Sequence, residues 1–337
     1  MKKVIYYNVD DDVDIEGSTL KELEIDGIEL INYQNGDLKF DPGTFVDVMN
    51  ELSVEGAVIE YIELTKDMID KLDTVKIISV QAIGYSNIDI KAATEKGILV
   101  TNAPGFCTEE VAVHTVGFII DCIKNITWFD REVRRGKWDS MQAGTPKRLS
   151  GQTVGLVFFG AIPKKMLPIL KALDLEIICY APTKSAEYLE NFGVEKTETL
   201  DDLLVRSDFV SMHCPLIYEE KPGRPATYHM MDKDKFKLMK PSAYFINTAR
   251  GAIVDEKALV SALRNGTIRG AAVDLIEDET SEKSDLFDLD NCIITPHAAF
   301  VSEEAFTDAR KIAIKQQAMY LDQGRVPDFI VNPEVIK

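Results

Sequence analysis

Three segments of this chain place chemically capable side chains just past apolar, strand-like runs. In "INTARG", Arg250 follows such a run and precedes a glycine. In parallel α/β sheets ligands bind beyond the carboxyl ends of strands, and a guanidinium there suits a bidentate grip on a carboxylate. In "AAVDLIEDET", Asp274 ends an apolar run and Glu279 comes five residues later. In "CIITPHAAF", His297 follows a Thr-Pro step. A histidine beside a carboxylate is the usual way to build a proton donor near neutral pH. Taken singly, such an arginine is more often a solvated surface residue and a lone histidine more often structural. Three of them at three strand ends of one sheet point to a site. No CxxC or other metal-ligand spacing occurs, so no metal is expected.

A fourth segment, "TVGLVFFGAIPKK" at 153–165, has the outline of a dinucleotide loop: strand, turn, basic helix. The fingerprint asks for three glycines. Only Gly160 is present; Phe158 stands at the first position and Pro163 at the third. A helix N-terminus offers free N–H groups to a pyrophosphate, and Pro163 is tolerable at a first helical position. Pro168 predicts a kink further along. An ordinary strand-to-helix turn is the alternative for this segment.

These residues need a scaffold, and the hydrophobic pattern supplies one. "KKVIYYN", "GAVIEYI", "VKIISVQAI" and "GILVTN" read as short buried strands, separated by helical patterns such as "TFVDVMNELS" and "LTKDMIDKL". A helix pair is expected from Thr108, a candidate N-cap, through "TEEVAVHTVGFIIDCIKNITWFDREVRRGKW". Then come six more strands: "TVGLVFF", "LEIICYA", "FVSMHCP", "AYFINTA", "GAAVDLI" and "CIITPHA". Strand–helix alternation predicts parallel sheets with helices on both faces. Two sheets sharing long helices near 105–125 and 302–323 fit the pattern, and "EEKPGRPAT" reads as a surface loop.

The bulk numbers agree. At 337 residues the chain fits two domains. A formal charge of −18 disfavours nucleic acid as a partner, and an anionic ligand would need a local cation. Five scattered cysteines fit reduced thiols and a cytoplasmic protein. No apolar run reaches membrane length. "MKKVIYY" reads as a first strand, because its apolar run is too short for a leader.

From about Leu64 to Glu304 the chain resembles the D-isomer-specific 2-hydroxyacid dehydrogenases. The likeness lies in "IGYSNIDIKAATEKGILVTNAPGFCTEEVAVHT", "INTARGAIVDEKALVSAL", "GAAVDLIEDE" and "TPHAAF". "TPHAA" and "SEEAF" look most like the branch with the C-terminal-binding proteins. The resemblance implies an α/β fold of two doubly wound parallel-sheet domains sharing long helices. A flavodoxin-like substrate domain would take 1–102 and 299–337, and a Rossmann-type cofactor domain 103–298, with the site in the cleft between them. It assigns Arg250 to the substrate carboxylate and keto oxygen, His297 to proton delivery, and Glu279 to supporting His297. Ile83 and Gly84 would hold the carboxylate, and Phe300 would line the pocket. Gly160, Ala161, Ile162, Thr115, Cys214, Thr248, Ala249 and Asp274 would lie along the cofactor, Asp274 at the nicotinamide carboxamide.

Departures from the family pattern are Phe158, Pro163, Ser86 before "NID", Val80, and Ala181 where an acid would grip the adenosine ribose. With Thr183 and Lys184 next in line, the missing acid puts NADP(H) slightly ahead of NAD(H). The reading is an NAD(P)-dependent reductase of a small 2-keto acid, acting as a homodimer. The alternative is a nucleotide-sensing binding protein on the same fold that has lost turnover.

Overall fold

A computed structural model describes residues 1–8, 18–34, 41–60, 62–220 and 223–336. Part of the expected loop at 219–227 therefore lies outside the described residues. The first half of the chain runs β1 (Lys2–Asn8), α1 (Ser18–Glu22), β2 (Ile28–Gln34), α2 (Pro42–Glu51), β3 (Gly56–Ile59), α3 (Lys66–Asp70), β4 (Ile77–Val80), α4 (Ile90–Lys96) and β5 (Leu99–Thr101). The helix pair α5 (Thr108–Lys124) and α6 (Ile126–Arg134) follows. Next come β6 (Thr153–Val157), α7 (Ala161–Ala172), β7 (Glu176–Tyr180), α8 (Ala186–Glu190), β8 (Glu195–Lys196), α9 (Leu200–Arg206) and β9 (Phe209–Met212). The chain continues through α10 (Lys233–Leu238), β10 (Tyr244–Asn247), α11 (Glu256–Arg264), β11 (Gly270–Val273), β12 (Cys292–Ile294) and α12 (Glu303–Leu321).

The backbone divides into two units, Met1–Phe106 with Ser302–Lys337, and Cys107–Val301. The sequence-drawn boundaries fall a few residues earlier. Ala103 stays with the first unit because its N–H bonds the carbonyl of Ala82 (2.9 Å). In that unit five parallel strands lie in the order β2-β1-β3-β4-β5, the flavodoxin-like order. Alternation along β1 sends Ile5 and Tyr7 to one face, with Phe45, Met49 and Ile69. Val4 and Tyr6 go to the other, with Ala313, Ile314 and Ala318 of α12.

The second unit carries seven parallel strands, β12-β11-β10-β9-β6-β7-β8. Counted from β6, this is the dinucleotide-fold order with one strand added beyond its sixth. Val154 and Leu156 pack with α5 and α7, while Val210 and Met212 pack with α9, α10 and α11. Each fully buried aliphatic chain contributes about 1.5–3 kcal/mol. β2 and β8 went unseen in the sequence. β2 lies at a sheet edge and carries exposed Glu29 and Asn32 among its apolar residues. β8 is a two-residue edge strand of charged residues. The N-cap of α5 is Cys107, not Thr108, and Thr108 is the first helical residue. α5 ends and α6 begins at Asn125, whose φ of 52° breaks the helix.

The open edge of β5 is closed by the C-terminal segment. Val331 donates its N–H to Val100 O (2.9 Å), and the 99%-buried Asn332 accepts from Val100 N–H (2.7 Å) while donating to Ile98 O (2.9 Å). The side chain thus stands in for one more residue of strand. Asn332→Ala leaves a buried donor and acceptor unmade and should cost about 1–3 kcal/mol. Urea unfolding measures this; a loss below about 0.5 kcal/mol, the size of a neutral surface change, would show that the edge does not depend on it.

Candidate functional site

The loop after β6 has a left-handed residue where the fingerprint's first glycine would stand. Phe158 has φ 73°, a left-handed conformation that costs a non-glycine residue about 1–2 kcal/mol. Its packing offsets that cost: the N–H bonds Tyr180 O (2.7 Å) and the ring meets the Tyr180 ring edge-on at 6.5 Å. Gly160 is the exposed N-cap of α7, with no side-chain cap, and a Cβ added there would meet no atom within 4 Å. Ala161 is exposed and Ile162 half-buried. Pro163 is the third helical residue rather than the first, and is buried. It still lies in the first turn, where an N–H has no intrahelical acceptor. α7 runs without interruption past Pro168, which is exposed.

Arg250 stands at the end of a turn built by Asn247, the last residue of β10. Asn247 is buried; its Oδ1 accepts from Ala249 N–H (3.0 Å) and its Nδ2 donates to Arg250 O (2.8 Å). The Arg250 guanidinium donates to Ala249 O (2.6 Å) and remains half-exposed. Gly251 is forced by packing, since a Cβ there would sit 1.8 Å from Ile276 O. The sequence reading missed Asn247, whose only signal was a polar residue closing the apolar run "YFIN".

Asp274, just past β11, is 1% exposed. Its Oδ1 accepts from Ala298 N–H (2.8 Å) and the Thr295 hydroxyl, and its Oδ2 from Ala299 N–H (2.9 Å). His114 of α5 bonds Thr295 Oγ1 (3.1 Å) and lies 3.9 Å from the same carboxylate. Asp274 thus shapes the loop after β12. His297 in that loop adopts φ 53° and donates its N–H to Asp274 O (2.7 Å). Its Nδ1 lies 2.8 Å from Glu279 Oε2. With a carboxylate there, Nδ1–H donates to Glu279, and Nε2 has no hydrogen-bond partner among the described residues. Both side chains are about two-fifths exposed, at 40% and 44%. Phe300 meets the His297 ring edge-on at 5.9 Å. Asp274, Glu279, Thr295 and His297 line one cavity of about 780 Å³ together with Arg131 and Phe287; Arg250 is not among its lining residues.

The other expected site residues have the following surroundings. Thr115 is fully buried; its hydroxyl donates to Val111 O (2.6 Å) and accepts from Thr248 (2.8 Å). Its place is support for the Thr248–Ala249 turn. Cys214 is buried, and burial pushes its thiol up to about 12, which makes it inert as a nucleophile. Thr183 is exposed. Lys184 Nζ stands 5.0 Å from the centre of the Tyr188 ring and Lys164 Nζ 5.5 Å from it. A hydrogen bond from Lys164 and the charges of both lysines hold the Tyr188 phenol below its usual range. Lys165 does not add to this field, because it pairs with Glu109 (2.6 Å). Ile83 and Gly84 follow β4 in the first unit; Ile83 is exposed and its carbonyl accepts from Asn102 Nδ2 (2.8 Å). No cluster that could hold a metal occurs among the described residues, and no described helix is long and apolar enough to cross a membrane.

Residues 116–299 match the family model for the D-isomer specific 2-hydroxyacid dehydrogenase, NAD binding domain. A D-3-phosphoglycerate dehydrogenase of Methanocaldococcus jannaschii is 37% identical over 270 residues, 80% of this chain and 50% of that protein, so the chain spans half of that relative's length. A glyoxylate reductase of Thermococcus litoralis is 35% identical over 280 residues, covering 81% of this chain and 82% of the relative. Among solved structures, the NAD-complexed D-isomer specific 2-hydroxyacid dehydrogenase of Lactobacillus delbrueckii superposes with a TM-score of 0.78 at 26% identity, covering 98% of this chain and 100% of that one.

The contact between Gly251 and Ile276 makes a direct prediction. Gly251→Ala should cost at least about 1–3 kcal/mol through overpacking against rigid backbone, and the folded remainder should show a displaced Arg250. Urea unfolding and a crystal structure of the variant check both parts; wild-type stability would mean that the two backbones separate freely.

Proposed function

This chain belongs to the D-isomer specific 2-hydroxyacid dehydrogenase family, and on that premise we propose that it reduces a small 2-keto acid to the D-2-hydroxy acid with a nicotinamide dinucleotide. The observation that carries the reading is the His297 Nδ1–Glu279 pair at 2.8 Å, two residues that line a cavity, with Nε2 unpartnered among the described residues. The second unit has room for the cofactor: a tight turn at Phe158, open space over Gly160 and an exposed, uncapped start to α7. Gly160, Ala161, Ile162, Thr248 and Ala249 would hold it, and when bound it supplies the hydride. Arg250 binds the substrate carboxylate and stabilises negative charge growing on the keto oxygen. His297 gives its Nε2 proton to that oxygen, and Glu279 keeps the ring oriented and stabilises the charged imidazole.

Phosphate at the adenosine ribose belongs to the same reading. Ala181 is buried and brings no acid, while Lys164 and Lys184 bring two ammonium groups to Tyr188. NADP(H) is therefore the preferred cofactor. A homodimer through α5 is supported by exposed Val113, with exposed Ile126 and Val133 on α6 and Trp138 and Met141 in the segment after it.

A panel of 2-keto acids assayed with NADPH and NADH tests the function itself, and binding of nucleotide with no turnover on any of them would overturn it. His297→Ala should lower kcat by about 10²–10⁴ with cofactor affinity kept; a kcat within threefold of wild type, with chemistry rate-limiting, would remove His297 from the proton step. NADPH should be the better cofactor, and Lys184→Ala should erode the preference severalfold by deleting one charged contact, worth about 1.5–3 kcal/mol at most. A tenfold preference for NADH in the wild type would contradict the phosphate site.

A further inference from the structure

The molecule contains a second histidine–carboxylate pair with no role in the chemistry above. His229 Nε2 lies 2.5 Å from Glu277 Oε1, both side chains being about 30% exposed. The two residues connect the segments that present Arg250 and Glu279. On one side, His229 N–H donates to Ala252 O (2.9 Å) and Met231 N–H to Ile253 O (3.1 Å), so residues 229–231 run beside the chain that leaves Arg250. His229 itself adopts φ 49°, and its ring stacks on Tyr228 at 4.0 Å.

On the other side, Glu277 lies two residues before Glu279. Its N–H donates to Glu256 Oε2 (2.8 Å), and its own Oε2 accepts from Glu256 N–H (3.3 Å). The second oxygen of Glu256 accepts from the Ser284 hydroxyl (2.6 Å). The turn bearing Glu279 is thus tied to Glu256 at both ends, 277 and 284. Gly251, next to Arg250, packs against the carbonyl of Ile276, next to Glu277. Two carboxylates, Glu256 and Glu277, meet at the base of this turn, and the His229 ring Nε2–H supplies a donor that lets Glu277 stay there.

We propose that His229 is a positioning residue: through Glu277 it fixes the Glu279 turn against His297 and couples that turn to the segment carrying Arg250. The proposal rests on the reductase reading and extends it. A side chain about 1 Å out of place can cost a hundredfold in rate, so the pair's effect falls on kcat and not on cofactor binding.

The test compares His229→Leu, which deletes the donor, with His229→Gln, whose amide N–H₂ can replace it. Glu277→Gln removes the partner's charge and serves if the leucine variant fails to fold. His229→Leu should lower kcat about ten- to a hundredfold, leave the KM for NADPH unchanged, and speed amide hydrogen exchange over 277–284. His229→Gln should restore both kcat and exchange protection. A leucine variant with wild-type kcat, or one that loses kcat with unchanged exchange over 277–284, overturns the proposal. Exchange needs no turnover. A wild type that reduces no 2-keto acid therefore defeats the reductase reading, while unchanged exchange in His229→Leu defeats the clamp separately.

Discussion

The candidate site hangs on one buried carboxylate. Asp274 is almost wholly removed from water, and an ion in that position costs several kcal/mol unless its oxygens are satisfied. No lysine or arginine pairs with it among the described residues. Its partners are two backbone N–H groups of residues 298 and 299 and the Thr295 hydroxyl, with His114 behind. Those partners can reach one side chain only if the chain after β12 curls tightly around it. The left-handed conformation of His297 is the result of that curl, and the backbone bond from His297 to Asp274 O closes it. Orientation of the imidazole toward Glu279 therefore follows from solvating a charge one residue beyond the end of β11: β11 supplies the anion and β12 the loop that wraps it. Strain at a functional residue is held in place by its surroundings.

The same logic accounts for the loop after β6. A dinucleotide fingerprint is a statement about backbone shape, and glycine is its cheapest means. Phe158 reaches the shape with a side chain, because the ring finds Tyr180 and the N–H finds its carbonyl. Where glycine had no substitute was Gly251, against the carbonyl of Ile276. One position is conformationally demanding and open to a compensating contact; the other is closed by backbone atoms that no rotamer can avoid.

This distinction marks what was legible in the sequence. Uninterrupted apolar runs such as "VKIISVQAI" revealed central strands, since strands buried on both faces need no polar alternation. β2 and β8 escaped because edge strands carry polar residues. Arg250, Glu279 and His297 stood out because their types do chemistry and they follow strand-like runs. The supports were invisible. Asn247 matters through a turn that closes on itself, and His229, Glu256 and Glu277 matter through contacts between distant segments. Asp274 was legible as a residue expected at the nicotinamide; the loop that its oxygens organise was not. Pairings across the fold are set by packing, and local patterns do not encode them.

Charge placement completes the picture. A chain of net charge −18 repels the anions it would have to bind. Cations must therefore be concentrated where ligands approach, and kept from the surrounding acids. Lys165 is lost to Glu109 and contributes nothing. Among the described residues Arg250 bonds only a backbone carbonyl and pairs with no carboxylate. Lys164 and Lys184 face an aromatic ring instead of an acid, and a ring holds an ammonium in place without neutralising it. An otherwise repulsive surface thus keeps a few undischarged cations beyond the ends of β7 and β10, the carboxyl edge at which parallel α/β sheets bind ligands.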